Sequence, residues 1–513
     1  MTDNLQWGQV WPEFPEFEQI GARSRVVPVV CKILVDDTAP VALYKLMTDS
    51  RPGTFILESA ERDGRWSRWS FIGVSARASL IMRDGQARWL GEVPEGIKTS
   101  GSTIELLADA LTQLESQANP GLPPLTGGLI GALGWDVLYD WAPELPKKAG
   151  VEHTTPDVSL SLVEDLIAVD HHTNTLWLIA NAINRDNTPD NIRVAYDSAV
   201  ARIKAMRAKL SSAVTMNPTV LLDSDDEQPV FRTPQNVFEN SVRTIQEAIA
   251  RGEASQVVIS QRTDIECTAD PLDVYRVLRT INPSPYMYFM RLASDTDDAG
   301  FTVVGSSPET LMRLTDNKLM TFPIGGSSPR GTDPVDDRKR AQWLVNDPKE
   351  VSEHEMLIDL SLSDLAKVCD PESLEVLDRM FIKYYSHVMH LTSVVTGTVA
   401  PEKNVVDCLA ATFPAGTLSG APKQRAIELI DELEPVRRGI YGGVCGYFAF
   451  SGNADLAIAI RTAIIDGKNA SVQAGAGVVD LSNPTSEFEE TRNKAGAAIR
   501  AIQIANRLSQ GTV

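Results

Sequence analysis

Short strand-like segments outnumber helical segments in this chain of 513 residues, and this excess is the feature that most constrains the fold. Runs rich in apolar and β-branched residues predict strands over residues 26–35, 53–58, 69–74, 176–180, 255–267, 286–291, 301–306, 388–400, 447–450, 456–465 and 471–479. Parallel strands need a long crossover between them, whereas antiparallel strands need only a turn. Because the chain has too few helices to serve as crossovers, we expect an α+β fold of mostly antiparallel sheets with helices packed outside.

Apolar residues that recur three and four positions apart predict helices between these strands. The helical segments are residues 103–117, 191–210, 234–251, 271–280, 338–368, 404–412, 422–433 and 487–508. Residues 211–236 interrupt the pattern with Ser-Ser, Asn-Pro and Thr-Pro pairs, which indicate an exposed linker, although the Val-Leu-Leu at 220–222 could dock as a strand. We therefore divide the chain into an N-terminal region (1–215), a linker (216–236) and a C-terminal region (237–513).

The charge balance and the cysteines narrow the possible environments and partners. The chain carries 48 Lys plus Arg against 68 Asp plus Glu, a net charge of −20, without a Lys/Arg-rich run. A nucleic-acid-binding protein needs a basic face, so this class is disfavoured. No apolar run approaches the roughly 18 residues of a membrane span, and no secretion signal precedes the first strand. Five widely spaced cysteines without a C-x-x-C pair indicate reduced thiols, and we expect a cytoplasmic protein.

Two E-x-x-E motifs are the strongest chemical signal in the sequence. Glu350 and Glu353 form the first, and Glu487 and Glu490 form the second. Residues three apart share one face of a helix, so each motif presents two carboxylates together. If both motifs faced one cavity, four carboxylates would suit Mg²⁺, which prefers oxygen ligands and accepts more of them from an anionic substrate. Either motif alone is more often a solvated helix face, and the sequence does not show that the two converge.

Other segments carry groups that could act on an anionic substrate. Residues 473–477 read Gln-Ala-Gly-Ala-Gly at the end of a predicted strand, where N–H groups can approach an anion, although a tight turn is the alternative. Arg461 closes an apolar strand and could bind a carboxylate or form a surface ion pair. Glu309, after Ser-Pro, could be a general acid or an ordinary turn residue. His387 and His390 would point to opposite faces of a strand, so at most one lines a site, and a structural role is the alternative.

Sequence blocks across residues 237–507 resemble the chorismate-binding enzyme family, most closely its anthranilate synthase large subunits. The blocks are residues 256–262 (QVVISQR), 282–288 (NPSPYMY), 305–309 (GSSPE), 347–354 (DPKEVSEH), 385–391 (YSHVMHL), 413–423 (FPAGTLSGAPK), 438–443 (RGIYGG), 457–462 (AIAIRT), 473–477 (QAGAG) and 487–494 (EFEETRNK). In the N-terminal region, residues 57–59 (LES) and 69–73 (WSFIG) resemble the tryptophan-feedback segment of the same enzymes. The resemblance covers nearly the whole chain and implies the fold of that family, with antiparallel sheets packed as a sandwich.

The resemblance implies roles for the matching positions in a reaction of chorismate. Mg²⁺ would hold the ring carboxylate of chorismate, and its binding residues would be Glu353 and Glu490, supported by Glu350 and Glu487. Glu309 would protonate the leaving 4-hydroxyl, and His390 would assist the later steps. The remaining contacts to the substrate, including its enolpyruvyl carboxylate, would come from Ser327, Thr417, Tyr441, Arg461, Gly475 and Gly477. Tryptophan would inhibit by binding at Glu58, Ser59, Pro285, Tyr286 and Met287.

Two positions indicate which nucleophile the chain would use. Water-using members of the family carry a lysine base where this chain has Gln256, which cannot deprotonate water, so ammonia is the better nucleophile. Members that make the 4-amino product carry a lysine where this chain has Gly325. The resemblance therefore implies anthranilate and pyruvate as products. Because the chain contains no amidotransferase segment, a separate glutamine amidotransferase subunit would supply the ammonia, in an expected heterotetramer.

Several positions depart from the family pattern. Ser328 replaces an arginine, Leu362 and Ser363 replace an arginine and an asparagine, and Lys383 and Tyr384 replace a glutamate and an arginine. One hypothesis is that a structural ion-pair network was replaced as a unit, which can be neutral for stability. The alternatives are a diverged chorismate enzyme that makes aminodeoxyisochorismate or another aminated product, and a weakly active regulatory paralogue.

Overall fold

The computed structural model describes residues 6–35, 39–60, 68–212, 219–222, 226–384 and 388–510. The strands of the N-terminal half are β1 (Val10–Trp11), β2 (Val26–Leu34), β3 (Thr54–Glu58), β4 (Trp69–Arg83), β5 (Gln86–Gly91), β6 (Gly128–Leu133), β7 (Val158–Asp170), β8 (Thr175–Ile183) and β9 (Thr219–Leu221). Its α-helices are α1 (Phe14–Gly21), α2 (Pro40–Met47), α3 (Thr103–Gln113) and α4 (Asn191–Leu210), and a 3-10 helix covers Trp135–Asp140.

The C-terminal half contains more strands and longer helices. Its strands are β10 (Val230–Phe231), β11 (Gln256–Glu266), β12 (Tyr286–Leu292), β13 (Phe301–Ser307), β14 (Thr310–Thr315), β15 (Lys318–Thr321), β16 (Ile324–Pro329), β17 (Glu375–Tyr384), β18 (Val388–Thr398), β19 (Gly420–Ala421), β20 (Val444–Ala449), β21 (Ala454–Ile458), β22 (Thr462–Asp466), β23 (Asn469–Val478) and β24 (Leu508–Gln510). Its α-helices are α5 (Gln235–Ala250), α6 (Pro271–Ile281), α7 (Pro334–Leu344), α8 (Pro348–Leu365), α9 (Val405–Thr412), α10 (Lys423–Leu433) and α11 (Pro484–Asn506), and a 3-10 helix covers Pro371–Ser373.

Hydrogen bonds join 22 strands of the described residues into one continuous sheet, and β9 and β24 form a separate pair. The long pairs β4–β7, β2–β8 and β11–β23 are all antiparallel. Helices cover the sheet from outside, with α4 against β8, α11 against β23 and α10 against β11. The predicted α+β fold with mostly antiparallel sheets and external helices is confirmed.

Strands from the two halves of the chain pair directly with each other. β3 pairs with β12, which places Phe55 opposite Met290, and β6 pairs with β20. The largest buried cluster accordingly draws residues from both halves, for example Leu160 and Phe448. Burying each such side chain contributes about 1.5–3 kcal/mol to stability, so the halves stabilise each other. The division at residues 216–236 stays a prediction, while β9, inside that segment, does dock as a strand against β24.

The predicted helix over residues 338–368 is wrong in one respect, because it consists of two helices, α7 and α8. Pro348 lacks an N–H and disfavours helical conformation in the residue before it. Asp347 caps the new helix, since its carboxylate accepts hydrogen bonds from the N–H groups of Lys349 and Glu350. The break places the first E-x-x-E motif in the opening turns of α8.

The predicted strand over residues 456–465 is also divided, into β21 and β22. Arg461 lies between them with a φ of 50°, a left-handed conformation that ends a strand. Strands β6 and β7 were not predicted, and both are buried along their whole length. Residues 128–133 of β6 read GLIGAL, without alternation of polar and apolar residues, whereas residues 158–162 of β7 read VSLSL and do carry that signal.

No helix in the described part of the chain combines the length and the apolar composition that a membrane crossing requires. All five cysteines are buried and none forms a disulfide.

Candidate active site

A cavity of about 390 Å³ lies between α8 and β16 on one side and β23 and the β21–β22 connection on the other. Its wall includes ten of the residues singled out from the sequence, namely Glu309, Ser327, Glu350, Glu353, His390, Thr417, Tyr441, Arg461, Gly475 and Gly477. These residues come from segments separated by up to 168 positions, from Glu309 to Gly477. The fold therefore gathers most of the predicted site around one cavity.

Glu309 lies in the turn between β13 and β14, at the edge of this cavity. Its backbone carbonyl accepts a hydrogen bond from the N–H of Ile458, and Thr417 Oγ1 donates to its Oε1 over 2.8 Å. Burial of the carboxyl group raises the pKa of Glu309 to about 7, against the opposing effects of Thr417, Lys494 and Arg461. A carboxyl group with this pKa is partly protonated near neutral pH and can act as a general acid.

His390 lies on β18 and faces the same cavity. Its Nδ1 is 3.1 Å from the carbonyl oxygen of Gly326, which can only accept, so Nδ1 carries the proton of the neutral ring. Burial lowers the pKa of His390, and the nearby cations Arg461 and Lys494 lower it further. A neutral imidazole with its lone pair on Nε2 can accept a proton or a hydrogen bond from a substrate. His387 lies outside the described residues.

Backbone hydrogen bonds connect the segment that follows Tyr441 with the segment that precedes Arg461. The N–H of Gly442 donates to the carbonyl of Ala459, and the N–H of Ala459 donates to the carbonyl of Gly443. These two bonds hold the segment after Tyr441 against the segment before Arg461. Both side chains line the cavity, and each can donate hydrogen bonds to a carboxylate.

Gly475 and Gly477 lie inside strand β23, which agrees with the strand predicted over residues 471–479 and excludes the alternative of a tight turn at residues 473–477. They pair with Ser260 and Val258 of β11, which continues the sheet past them. A Cβ atom at Gly475 would stand 2.7 Å from Tyr441 Oη. The absence of a side chain at Gly475 therefore leaves room for the Tyr441 phenol.

Gln256 is not among the residues that line the cavity. Its Nε2 packs over Gly477, where a Cβ atom would approach it to 2.7 Å. Because residues 475 and 477 share one face of β23, Gln256 Nε2 lies on the same face of this strand as Tyr441 Oη. The role assigned to Gln256 stays a prediction.

The four carboxylates of the E-x-x-E motifs do not meet in this conformation. Glu350 and Glu353 line the cavity, where Glu353 pairs with Lys349 over 3.3 Å. Glu490 lines an adjoining open groove and pairs with Lys494 over 2.7 Å. Among the residues that the structure describes, no three His, Cys, Asp or Glu side chains are arranged to hold a metal ion.

Glu487 is the fourth of these carboxylates, and it lines neither the cavity nor the groove. Burial is the largest cause that raises the pKa of Glu487, and the neighbouring Glu490 raises it further. The Ser482 hydroxyl and the Lys494 ammonium act in the opposite direction. Of the second E-x-x-E motif, Glu490 therefore lines the groove, whereas Glu487 is half-buried and lies close enough for the two charges to interact.

Lys494 is a site residue that was not predicted from the sequence. Its Nζ donates to the carbonyl oxygen of Gly475 over 3.1 Å and pairs with Glu490. It lines both the cavity and the adjoining groove, as Arg461 also does. The available signal was helical spacing, because Lys494 lies four residues after Glu490 on α11 and must share its face. Two cations thus stand where the cavity and the groove meet.

Of the positions that depart from the family pattern, Ser328 and Lys383 lie on the two strands that flank β18, which carries His390. Ser328 is buried in β16 opposite Met389, and Lys383 stands opposite His390 in the β17–β18 pair. Leu362 packs against the large apolar cluster. Leu362 therefore makes apolar contacts where the family has a charged arginine. This is compatible with replacement of an ion-pair network as a unit.

The residues predicted to bind tryptophan come together through the β3–β12 pair. Glu58 stands opposite Met287, and the N–H of Ala60 donates to the carbonyl of Ser284 over 3.1 Å. This second bond brings Ser59 next to the segment that begins with Pro285. Two parts of the chain more than 220 residues apart therefore form one cluster.

Buried polar contacts hold this cluster in place. The Glu58 carboxylate accepts hydrogen bonds from Tyr275 Oη over 2.5 Å and from Arg279 over 3.1 Å. Tyr286 Oη donates to Asp455 over 2.7 Å and accepts from Arg313 over 2.8 Å. Because each charged group has a partner, the cluster is preorganised rather than held open by a ligand.

Comparison with known proteins links this arrangement to one family. The model of the chorismate binding enzymes matches residues 54–500. Anthranilate synthase component 1 of Arthrobacter globiformis is 46% identical over 507 residues, which cover 98% of this chain and 94% of the relative. The corresponding protein of Mycobacterium tuberculosis (strain ATCC 25618 / H37Rv) is 46% identical over 503 residues, with 96% of each chain covered.

Solved structures agree with these sequence comparisons. Anthranilate synthase component I from Streptococcus pneumoniae superposes with a TM-score of 0.71 at 31% identity, covering 86% of this chain and 94% of that one. The menaquinone-specific isochorismate synthase from Escherichia coli superposes with a TM-score of 0.68 at 19% identity, covering 93% and 94%. The second similarity concerns the fold alone.

Proposed function

The chain belongs to the chorismate-binding enzyme family, and on that premise we propose that it converts chorismate and ammonia to anthranilate and pyruvate. It is then the large subunit of an anthranilate synthase and acts at the first step of tryptophan biosynthesis. The observation that carries this proposal is the cavity that combines a buried carboxyl, Glu309, with the carboxylate-binding pair Tyr441 and Arg461. A dianionic substrate with a hydroxyl leaving group needs both features.

Each residue of the site has a distinct role in the proposed reaction. Arg461 and Tyr441 bind the enolpyruvyl carboxylate, and Ser327 and Thr417 contribute polar contacts along the wall. Glu309, protonated near neutral pH, donates its proton to the 4-hydroxyl as the bond from C4 breaks and ammonia adds at C2. The product of this step is aminodeoxyisochorismate. Elimination of pyruvate with loss of the C2 proton then yields anthranilate, and the neutral His390 stands beside the ring to assist.

Mg²⁺ is the proposed cofactor, and the donor chemistry of the two E-x-x-E motifs fits it. Glu353 and Glu490 would bind the ion, with Glu350 and Glu487 behind them. The side chains of Glu353 and Glu490 are 44% and 47% exposed, so burial does not fix either of them to its lysine partner. When bound, the ion supplies positive charge for the ring carboxylate of chorismate and for the negative charge that develops on it.

Ammonia is the proposed nucleophile, and it would come from a glutamine amidotransferase subunit in a heterotetramer. The purified chain is therefore expected to make anthranilate from chorismate, Mg²⁺ and ammonium at mildly alkaline pH, followed by anthranilate fluorescence. Glutamine in place of ammonium should give no product until the small subunit is added. Consumption of chorismate without anthranilate would indicate a different product, and chorismate that stays intact would contradict the activity.

Tryptophan is the proposed inhibitor, with Glu58, Ser59, Pro285, Tyr286 and Met287 as its binding residues. Replacing Ser59 by Phe is expected to weaken tryptophan binding by at least ~10-fold, because the added ring occupies space next to the Pro285 segment. Titration calorimetry measures this directly.

Ser212→Phe is the matched control, because Ser212 is exposed after α4 and the change adds the same ring. It should bind tryptophan as the unmodified chain does. Equal affinities for both variants would show that the inhibitor binds elsewhere.

A further inference from the structure

Arg461 has a backbone conformation that an arginine rarely adopts. Its φ is 50°, in the left-handed region that normally favours glycine, and it lies in the short connection between β21 and β22. A residue stays in such a conformation only where its surroundings hold it there, and these positions concentrate at functional sites. The contacts that hold this connection therefore decide where the guanidinium points.

Every backbone carbonyl from residue 458 to residue 461 accepts a hydrogen bond. Ser307 Oγ donates to Ile458 over 2.7 Å, and the N–H of Gly442 donates to Ala459 over 3.1 Å. The last two carbonyls are bound by Thr462 Oγ1 (to Ile460, 2.8 Å) and by the N–H of Ser306 (to Arg461, 3.3 Å). The connection is thus held from β13, from the segment after Tyr441 and from β22.

Thr462, one of these donors, also forms a hydrogen bond with Tyr288. Thr462 Oγ1 uses its only proton in the bond to Ile460, so it must accept in its 2.7 Å contact with Tyr288 Oη. The hydrogen bonds therefore run in one direction, from the Tyr288 phenol to the Thr462 hydroxyl and on to the Ile460 carbonyl. Tyr288 is 2% exposed and Thr462 is 7% exposed, and neither lines the cavity.

We propose that Tyr288 and Thr462 are positioning residues for Arg461, whose guanidinium their linked hydroxyls hold towards Glu309 and His390. The inference rests on the proposed role of Arg461 in binding the substrate carboxylate. The guanidinium is near enough to lower the pKa of both Glu309 and His390. Neither Tyr288 nor Thr462 touches the substrate, and both act through the backbone.

The test is Thr462→Val, which removes the hydroxyl and keeps the shape of the side chain. With ammonia as nucleophile, the KM for chorismate is expected to rise about 10-fold, the effect of one lost hydrogen bond in a buried site, while kcat changes by less than about threefold. Thr462→Ser restores the hydroxyl and should restore the KM. Tyr288→Phe should also raise the KM. This variant replaces Thr462→Val as the test if the valine variant fails to fold.

Thr396→Val is the matched control, because Thr396 is a buried threonine whose Oγ1 donates to the Leu319 carbonyl over 2.9 Å. It should leave the KM unchanged. An equal rise in KM in this control, or none in Thr462→Val and Tyr288→Phe, would overturn the proposal.

A double-mutant cycle separates positioning from general destabilisation. Arg461→Ala should raise the KM strongly, and adding Thr462→Val to it should cause no further rise, because the group being positioned is gone. Additive effects would overturn the positioning role and leave the role of Arg461 standing. An unchanged KM in Arg461→Ala alone would instead contradict the substrate-binding role on which the inference rests.

Discussion

Replacing Glu309 by Gln is expected to slow turnover about 10²–10⁴-fold, the usual contribution of a positioned general acid. Gln keeps the size of the side chain and can still accept the hydrogen bond from Thr417 Oγ1, so binding of chorismate should change little. It cannot release a proton to the departing 4-hydroxyl. Stopped assays of anthranilate formation at saturating chorismate and a fixed concentration of free ammonia measure the effect.

The pH dependence provides the control for this prediction. Glu309 must be protonated to act, and burial raises its pKa to about 7, so kcat/KM at constant free ammonia should fall as the pH rises through about 7. Thr417→Val removes a hydrogen bond that favours the charged carboxylate, so the pKa of Glu309 should rise and the fall should move to higher pH. A pH profile unaffected by Thr417→Val, or turnover in Glu309→Gln within tenfold of the unmodified chain, would contradict the assignment.

Replacing Glu490 by Gln is expected to reduce turnover by about 10²-fold or more and to raise the Mg²⁺ concentration needed for half-maximal rate. A bound divalent ion stabilises developing negative charge by several kcal/mol, and each 1.36 kcal/mol is a tenfold change in rate. Calorimetric titration of Mg²⁺ in the presence of chorismate should show the loss of affinity independently of the rate.

Glu489→Gln is the matched control for this change. Glu489 precedes Glu490 on α11 and lines the same groove, and its replacement removes the same charge. It should leave the Mg²⁺ requirement close to that of the unmodified chain. Equal losses in both variants would show that the general negative charge of the groove matters rather than a ligand. Full activity of Glu490→Gln would remove the residue from the proposed metal site.

Local patterns in the sequence were sufficient for several features of the site. The spacing of Glu350 and Glu353 puts both on one helix face, and the structure places both on the wall of the cavity. The excess of strand-like segments over helices predicted the antiparallel sheet, and sequence blocks identified the family. Lys494 was within reach of the same reasoning, since it lies one helical turn after Glu490.

Other expectations failed because the deciding interactions are distant in sequence. A tight turn was the alternative for Gly475 and Gly477, yet pairing with β11 keeps them in a strand, where their missing side chains make room for Tyr441 and Gln256. The strand expected across Arg461 is interrupted because other segments bind the backbone there. The N–H of Ser306 in β13 donates to the Arg461 carbonyl, and the N–H of Gly442 donates to the Ala459 carbonyl. These partners lie up to about 155 residues away, and no short window of sequence contains them.

By itself, the sequence determined the fold class, the family and most of the side chains around the cavity, because periodicity, backbone sterics and motif identity act over a few residues. Only the tertiary structure decided that β3 and β12 join the two halves and that Glu490 faces a separate groove. It also decided that the pKa of Glu309 lies near 7. The physical reason is that strand pairing, side-chain ion pairs and desolvation are set by the packing of the whole chain.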